Sequence, residues 1–182
     1  MRLFFAVPLP PLPPWSGARP PPPPAADAPP HLTLRFLGEV DPARRGALES
    51  AGRSAARRVA PFPAVLAPIG AFPSARDPRI VWIGVEEGRP TLARLAEGLQ
   101  AALGKEGFPP DPRPFVPHAT WRRIRSAADR ARAAEWLARG RLAAPIRAPI
   151  GRLELVESRL SPGGALHTTL ATFPLGEREG GA

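Results

Sequence analysis

All three histidines of the chain open the same short phrase: His31-Leu-Thr33-Leu, His118-Ala-Thr120-Trp and His167-Thr-Thr169-Leu. Only six threonines occur in 182 residues, so a threonine two places after every histidine stands out from the background. In a β-strand, residues i and i+2 share a face, and each H-x-T then presents an imidazole beside a hydroxyl. Two imidazoles facing each other across a groove suit in-line displacement at phosphorus. One takes a proton from the nucleophile while the other gives one to the departing oxygen. An unperturbed imidazole titrates at about 6.5, so either role can be filled close to neutral pH, and no metal is required. Threonine hydroxyls and nearby guanidinium groups would hold the phosphoryl oxygens. Simple alternation puts Arg35 on the face of His31 and Thr33, and Arg122 on the face of His118 and Thr120.

Plainer explanations compete with this one. A lone strand histidine is more often a hydrogen-bonded core residue, and a strand threonine is often there for its β-branched shape. The recurrence of the phrase in matching contexts favours chemistry. A three-histidine zinc site is a second reading of the same residues, but no histidine pair has the i, i+4 helical spacing of a common zinc motif. The chain has no cysteine, which excludes a disulfide frame, a thiolate metal site and a thiol nucleophile. No Gly-x-Ser-x-Gly elbow supports a serine nucleophile.

Alternating blocks of strand and helix must position these side chains. Arg2 to Val7 reads as a buried strand, and Pro8 to Pro30, containing PLPPLPP and the run Pro20 to Pro24, as an exposed proline-rich loop. His31 to Leu37 alternates as a strand closed by Gly38. Asp41-Pro42 then caps a helix running to about Val59. Pro63 to Phe72 is a strand interrupted at Pro68, Arg79 to Val85 a firm strand, and Thr91 to Leu103 an amphipathic helix. Phe115 to Arg123 (strand), Ala127 to Ala138 (helix), Ile150 to Glu157 and Leu166 to Phe173 (strands) complete the order.

The second half replays the first. Arg2-Leu-Phe-Phe has an echo in Arg79-Ile-Val-Trp, and Pro30-His31-Leu-Thr33 in Pro117-His118-Ala-Thr120. The expectation is an α+β fold of two pseudo-symmetric antiparallel-sheet lobes with outer helices around a central cleft, residues 1–182 forming one bilobal domain. His31 and His118 would then face each other from its two walls.

Composition narrows the partners. A formal charge of +9 favours a polyanion such as nucleic acid, although Lys105 is the only lysine and the arginine-, alanine- and proline-rich usage could equally belong to the source. The apolar run Leu3 to Val7 is too short for a signal-peptide core or a membrane span, so a cytoplasmic protein without membrane association is expected; a monomer is expected as well, although the sequence says little about oligomeric state. A noncatalytic RNA- or nucleotide-binding module would use the same basic cleft, and a scaffold recruited through PLPPLPP is a third reading.

The segments Arg2-Leu-Phe-Phe-Ala, His31-Leu-Thr33-Leu-Arg-Phe-Leu-Gly38-Glu-Val, Arg79-Ile-Val-Trp82-Ile-Gly84, Phe115-Val-Pro-His118-Ala-Thr120 and Thr172-Phe-Pro-Leu175, in this order over nearly the whole chain, resemble the two-histidine phosphoesterase superfamily. The likeness is greatest to its bacterial RNA 2',3'-cyclic phosphodiesterases, also called 2'-5' RNA ligases. The resemblance implies a cofactor-free enzyme that opens an RNA 2',3'-cyclic phosphate, or a small cyclic nucleotide, to a 2'-phosphate. It makes His31 and His118 catalytic, with His118 taken as base and His31 as acid, a division the residues alone leave open. Thr33 and Thr120 would bind the phosphate. An RNA 5'-hydroxyl in place of water would give 2'-5' ligation. The family's second motif, commonly H-x-T-L-x-R, matches Arg123, whereas alternation favours Arg122; a bulge would reverse that parity. His167 falls where many relatives carry a tyrosine, either lining the cleft toward substrate or satisfying a core hydrogen bond. Pro8 to Pro30 is too short and proline-rich for the helix the family usually has there.

Overall fold

The computed structural model describes residues 1–11, 15–16, 29–139, 141–142, 144–161 and 164–176. Most of the proline-rich stretch, including Pro20 to Pro24, lies outside the described residues. The elements along the chain are β1 (Arg2–Pro8), β2 (Trp15–Ser16), β3 (His31–Glu39), a 3-10 turn (Pro42–Arg44), α1 (Arg45–Ala56), β4 (Phe62–Pro73), β5 (Pro78–Glu87), α2 (Arg89–Lys105), β6 (His118–Arg123), α3 (Ala127–Arg139), β7 (Arg141–Leu142), β8 (Ile146–Ile150), β9 (Arg152–Ser161) and β10 (Gly164–Pro174).

Eight strands form one antiparallel sheet in the order β10-β9-β1-β3-β6-β5-β4-β8, and β2 pairs with β7 as a separate ribbon. The two expected lobes are its halves, β10-β9-β1-β3 and β6-β5-β4-β8. They are continuous through a single residue pair, Leu32 opposite Ala119. The first half is not contiguous in sequence: β1 and β3 supply its inner strands, and the C-terminal hairpin β9–β10 completes it. The halves match, but the sequence echo is one residue out of step. Pro8 lies opposite His31 and Gly84 opposite His118, so Arg2 corresponds to Pro78 and not to Arg79.

Alternation decides what each strand buries. Leu3, Phe5 and Val7 of β1, Val81, Ile83 and Val85 of β5, and Leu153 and Leu155 of β9 share one core with Leu48 of α1, Leu92, Leu95, Leu99 and Leu103 of α2, and Trp136 of α3. Full burial of a leucine or phenylalanine contributes about 1.5–3 kcal/mol, so this face holds the fold together. On the other face Phe4 and Ala6 form a small cluster with Val156 and Phe36. The helices therefore cover one side of the sheet, and both H-x-T motifs use the other.

Several boundaries depart from the sequence expectation for local reasons. Asp41 caps as anticipated, its carboxylate accepting from the Ala43 N–H at 2.9 Å, but the first turn is 3-10 and α1 ends at Ala56. β3 runs on through Gly38 to Glu39. β6 starts only at His118, because Pro114 and Pro117 have no N–H to give a ladder. Ile150 to Glu157 divides at Gly151 into β8 and β9, and the short strand β8 had no counterpart in the expectation. Pro68 does interrupt pairing, in an irregular stretch between Leu66 and Ile69.

Candidate active site

The Leu32–Ala119 pair joins the halves and also assembles the site. Antiparallel pairing at that point sets His31 beside Thr120 and Thr33 beside His118. With about 5 Å between strands and about 7 Å between alternate residues, the four side chains rise from corners of a patch the size of one phosphate. Leu32 and Ala119, turned the other way, are sealed in the core at 0% and 1% exposure.

Both rings are held by the same contact. His31 Nδ1 lies 2.9 Å from the Pro29 carbonyl oxygen, and His118 Nδ1 lies 2.7 Å from that of Val116. A carbonyl can only accept, so Nδ1–H donates and Nε2 carries the lone pair of the neutral ring. Aromatic rings flank each imidazole: Phe4 is 5.2 Å from His31, Phe72 is 5.1 Å from His118, and Trp82 is 6.2 Å from His118. The Trp82 indole fits here because Gly70 and Gly84 lack side chains. A Cβ on Gly70 would stand 2.2 Å from indole Cζ2, and one on Gly84 would stand 2.9 Å from Cζ3.

Burial lowers the proton affinity of both histidines, and the carbonyl contacts oppose it. Their charged neighbours differ. The Glu154 carboxylate favours protonated His31, while the Arg123 guanidinium works against protonated His118. Glu154 is opposite Ala6, which is opposite Thr33, so it lies on the site face; it accepts from Thr169 Oγ1 at 3.2 Å and pairs with Arg152 at 2.7 Å.

The arginines are sorted by two bulges. In β6 the partners of Gly84, Trp82 and Ile80 are His118, Thr120 and Arg123, with an extra residue inserted at Trp121. Arg123 therefore shares the site face, and Arg122, opposite Val81, turns toward the helices. In β3 the extra residue is Leu34. Thr33 faces Ala6 but Arg35 faces Phe5, so Arg35 leaves the side of His31 and Thr33. It is 9% exposed, its Nη2 donates to the Pro109 carbonyl at 2.5 Å, and its Nη1 is 3.3 Å from an Asp111 carboxylate oxygen. The expectation from alternation is thus corrected for both Arg35 and Arg122: a bulge adds one residue and reverses the parity.

His167 sits on β10 opposite Ser158, and its ring is 5.1 Å from that of His31. Sequence reading missed Glu154, Phe72 and Trp82. For Glu154 the signal was present, a carboxylate alternating with Leu153 and Leu155. For Phe72 and Trp82 it lay in the pairing of β4 with β5, which no local pattern reveals. Among the described residues no cluster of three or more His, Cys, Asp or Glu is arranged to hold a metal ion, and no helix is long and apolar enough to cross a membrane.

The profile of the 2'-5' RNA ligase superfamily matches residues 8–161. An RNA 2',3'-cyclic phosphodiesterase of Aquifex aeolicus is 32% identical over 147 residues, covering 80% of this chain and 78% of that one. An RNA 2',3'-cyclic phosphodiesterase of Thermus thermophilus is 35% identical over a 200-residue alignment covering 96% and 90%. Escherichia coli LigT, solved in complex with 3'-AMP, superposes with a TM-score of 0.68 at 30% identity over 97% of this chain and 98% of that one. A profile spanning most of the sequence and relatives similar over most of their length carry the same conclusion as the adjoining H-x-T strands: the chain belongs to the 2'-5' RNA ligase superfamily of two-histidine phosphoesterases.

Proposed function

We propose that the protein is an RNA 2',3'-cyclic phosphodiesterase that opens 2',3'-cyclic phosphate ends to 2'-phosphates by metal-independent acid–base catalysis between His31 and His118. The observation that carries this reading is the Leu32–Ala119 pair, which supports two histidines acting on one phosphorus. His118, whose proton affinity Arg123 depresses, takes a proton from the attacking water on Nε2. The new P–O bond forms as the P–O3' bond breaks, and His31, whose protonated form Glu154 favours, gives its Nε2 proton to O3'. Thr33 and Thr120 donate to the non-bridging oxygens, and Arg123 offsets the charge that builds on them. If an RNA 5'-hydroxyl replaces water, the same proton transfers make a 2'-5' bond. The chain acts as one bilobal unit, a cytoplasmic monomer, on an RNA end or a small cyclic nucleotide.

Product analysis with an RNA ending in 2',3'-cyclic phosphate tests the proposal. Release of a 2'-phosphate end is expected, undiminished by EDTA and abolished by His31→Ala or His118→Ala in folded protein. Tight binding without turnover over a panel of such ends would overturn it in favour of a noncatalytic RNA-binding module.

A further inference from the structure

β10 is three strands from β3 in the sheet order, a distance of about 14 Å if the sheet were flat. Coiling of the sheet instead folds this edge over the site face, and His31, Phe4 and His167 close into a triangle. The ring centroids are 5.2 Å apart for Phe4 and His31, 5.0 Å for Phe4 and His167, and 5.1 Å for His31 and His167. The His167 ring meets His31 at 69°, an edge contact of the kind that fixes ring orientation. Nδ1 of His167 is buried without a hydrogen-bond partner among the described residues. Among these residues, then, Nδ1 makes no core hydrogen bond. Leaving a buried polar nitrogen unpaired is unfavourable, and a phenylalanine would fill the same space without that cost.

We propose that His167 is a positioning residue for His31: with Phe4, which it touches, it forms one jaw of a clamp on the imidazole whose other jaw is the Pro29 carbonyl holding Nδ1, so that Nε2 keeps a single aim at the phosphate. This deepens the phosphodiesterase reading and rests on it. The clamp is also titratable. A proton on His167 opposes one on His31, the two being neighbouring like charges. The other charged or titratable groups facing His31 are Glu154 of β9 and His118 of β6. His167 must therefore be neutral while His31 holds the proton it delivers.

The test compares wild type, His167→Ala and His167→Phe on a 2',3'-cyclic nucleotide, reading kcat, KM and the pH–rate profile, and follows the His31 ring proton by NMR titration in the same three proteins. His167→Ala, which removes the clamp, should lower kcat about tenfold or more with KM within about twofold. His167→Phe, which keeps a ring, should restore most of kcat. It should leave the His31 titration in place, because His167 is neutral when His31 is charged, whereas His167→Ala, which opens the His31 ring to water, should move that titration and the alkaline limb to higher pH and leave the acid limb in place. Unchanged kcat, or an unmoved His31 titration, in His167→Ala overturns the inference. Absence of turnover in wild type is instead a failure of the phosphodiesterase reading, and the NMR titration then decides this inference alone.

Discussion

Leu34 and Trp121 are equivalent residues: each is the extra position of a bulge placed directly after an H-x-T motif, one in β3 and the other in β6. Each bulge turns the next residue, Arg35 or Arg122, toward the helices, and the one after it, Phe36 or Arg123, toward the site. The two halves thus share a backbone device but differ in what it presents, a phenyl ring on one side and a guanidinium on the other. The Arg2 guanidinium lies over the Phe36 ring at 5.0 Å, so even the neutral half has a cation at its margin.

Arg123→Ala and Arg35→Met should therefore fail in different ways. On the proposed mechanism, removing Arg123 takes away the charge that offsets the developing phosphoryl oxygens, and kcat/KM is expected to fall by about 10²–10³ with the fold intact. Removing Arg35 strips Asp111 and the Pro109 carbonyl of a buried partner. A stability loss of about 1–3 kcal/mol is expected, read as a lower urea midpoint at unchanged m-value, with activity per folded molecule retained. Reversed outcomes would show that the bulges do not sort the arginines as described.

Much of this arrangement was legible in the residues. The H-x-T phrase contains its own geometry, since period-two alternation alone puts His31 with Thr33 and His118 with Thr120. The alternation that succeeds within three residues fails by the fifth, because nothing in Leu34-Arg35 or Trp121-Arg122 announces a bulge; only the partner strand defines it. For the same reason the echo of Arg2 in Arg79 slipped by one. Pro114 and Pro117, which have no N–H to give, already stand in the sequence as breaks to the strand expected from Phe115. What could not be read locally is the coiling that carries His167 from the sheet edge to His31, a property of β10, β9, β1 and β3 together.

Glu154→Gln isolates the electrostatic difference between the two histidines. The amide keeps a hydrogen-bond acceptor for Thr169 but removes the negative charge that favours protonated His31. His31 should then lose its proton at lower pH. In a pH–rate profile this appears as a downward shift of the alkaline limb, with the acid limb, set by His118, unchanged. A shift of the acid limb instead would reverse the roles of acid and base.

Gly70→Ala probes the aromatic wall behind His118. The new methyl would meet the Trp82 ring at 2.2 Å, so the indole must leave its place, and its neighbours Phe72 and His118, at 5.4 and 6.2 Å, lose the surface they rest on. Overpacking of this kind costs about 1–3 kcal/mol. A change in tryptophan near-ultraviolet circular dichroism together with a lower kcat is expected. An altered spectrum with full activity would mean that Trp82 does not support the site.

The three histidines also make stability depend on pH. His31, His118 and His167 are all held below their ordinary value, chiefly by burial, and His31 and His167 oppose each other's charge on the remaining margin. In the unfolded chain they take up protons at about 6.5, whereas in the folded protein they do so only at lower pH. Between those points the unfolded state binds more protons, so stability is complete above about 7 and falls as the pH drops through 6.5 and below. Asp111, kept under the usual carboxylate range by its hydrogen bond from the Arg113 side chain, loses its share only at still lower pH, below about 4. Comparing urea midpoints at pH 7.5 and 5.5 therefore reads the histidines apart from the carboxylates. The midpoint should be lower at pH 5.5, and His118→Asn, which cannot take up a proton, should reduce the difference; equal midpoints in wild type would mean that the three rings are open to water.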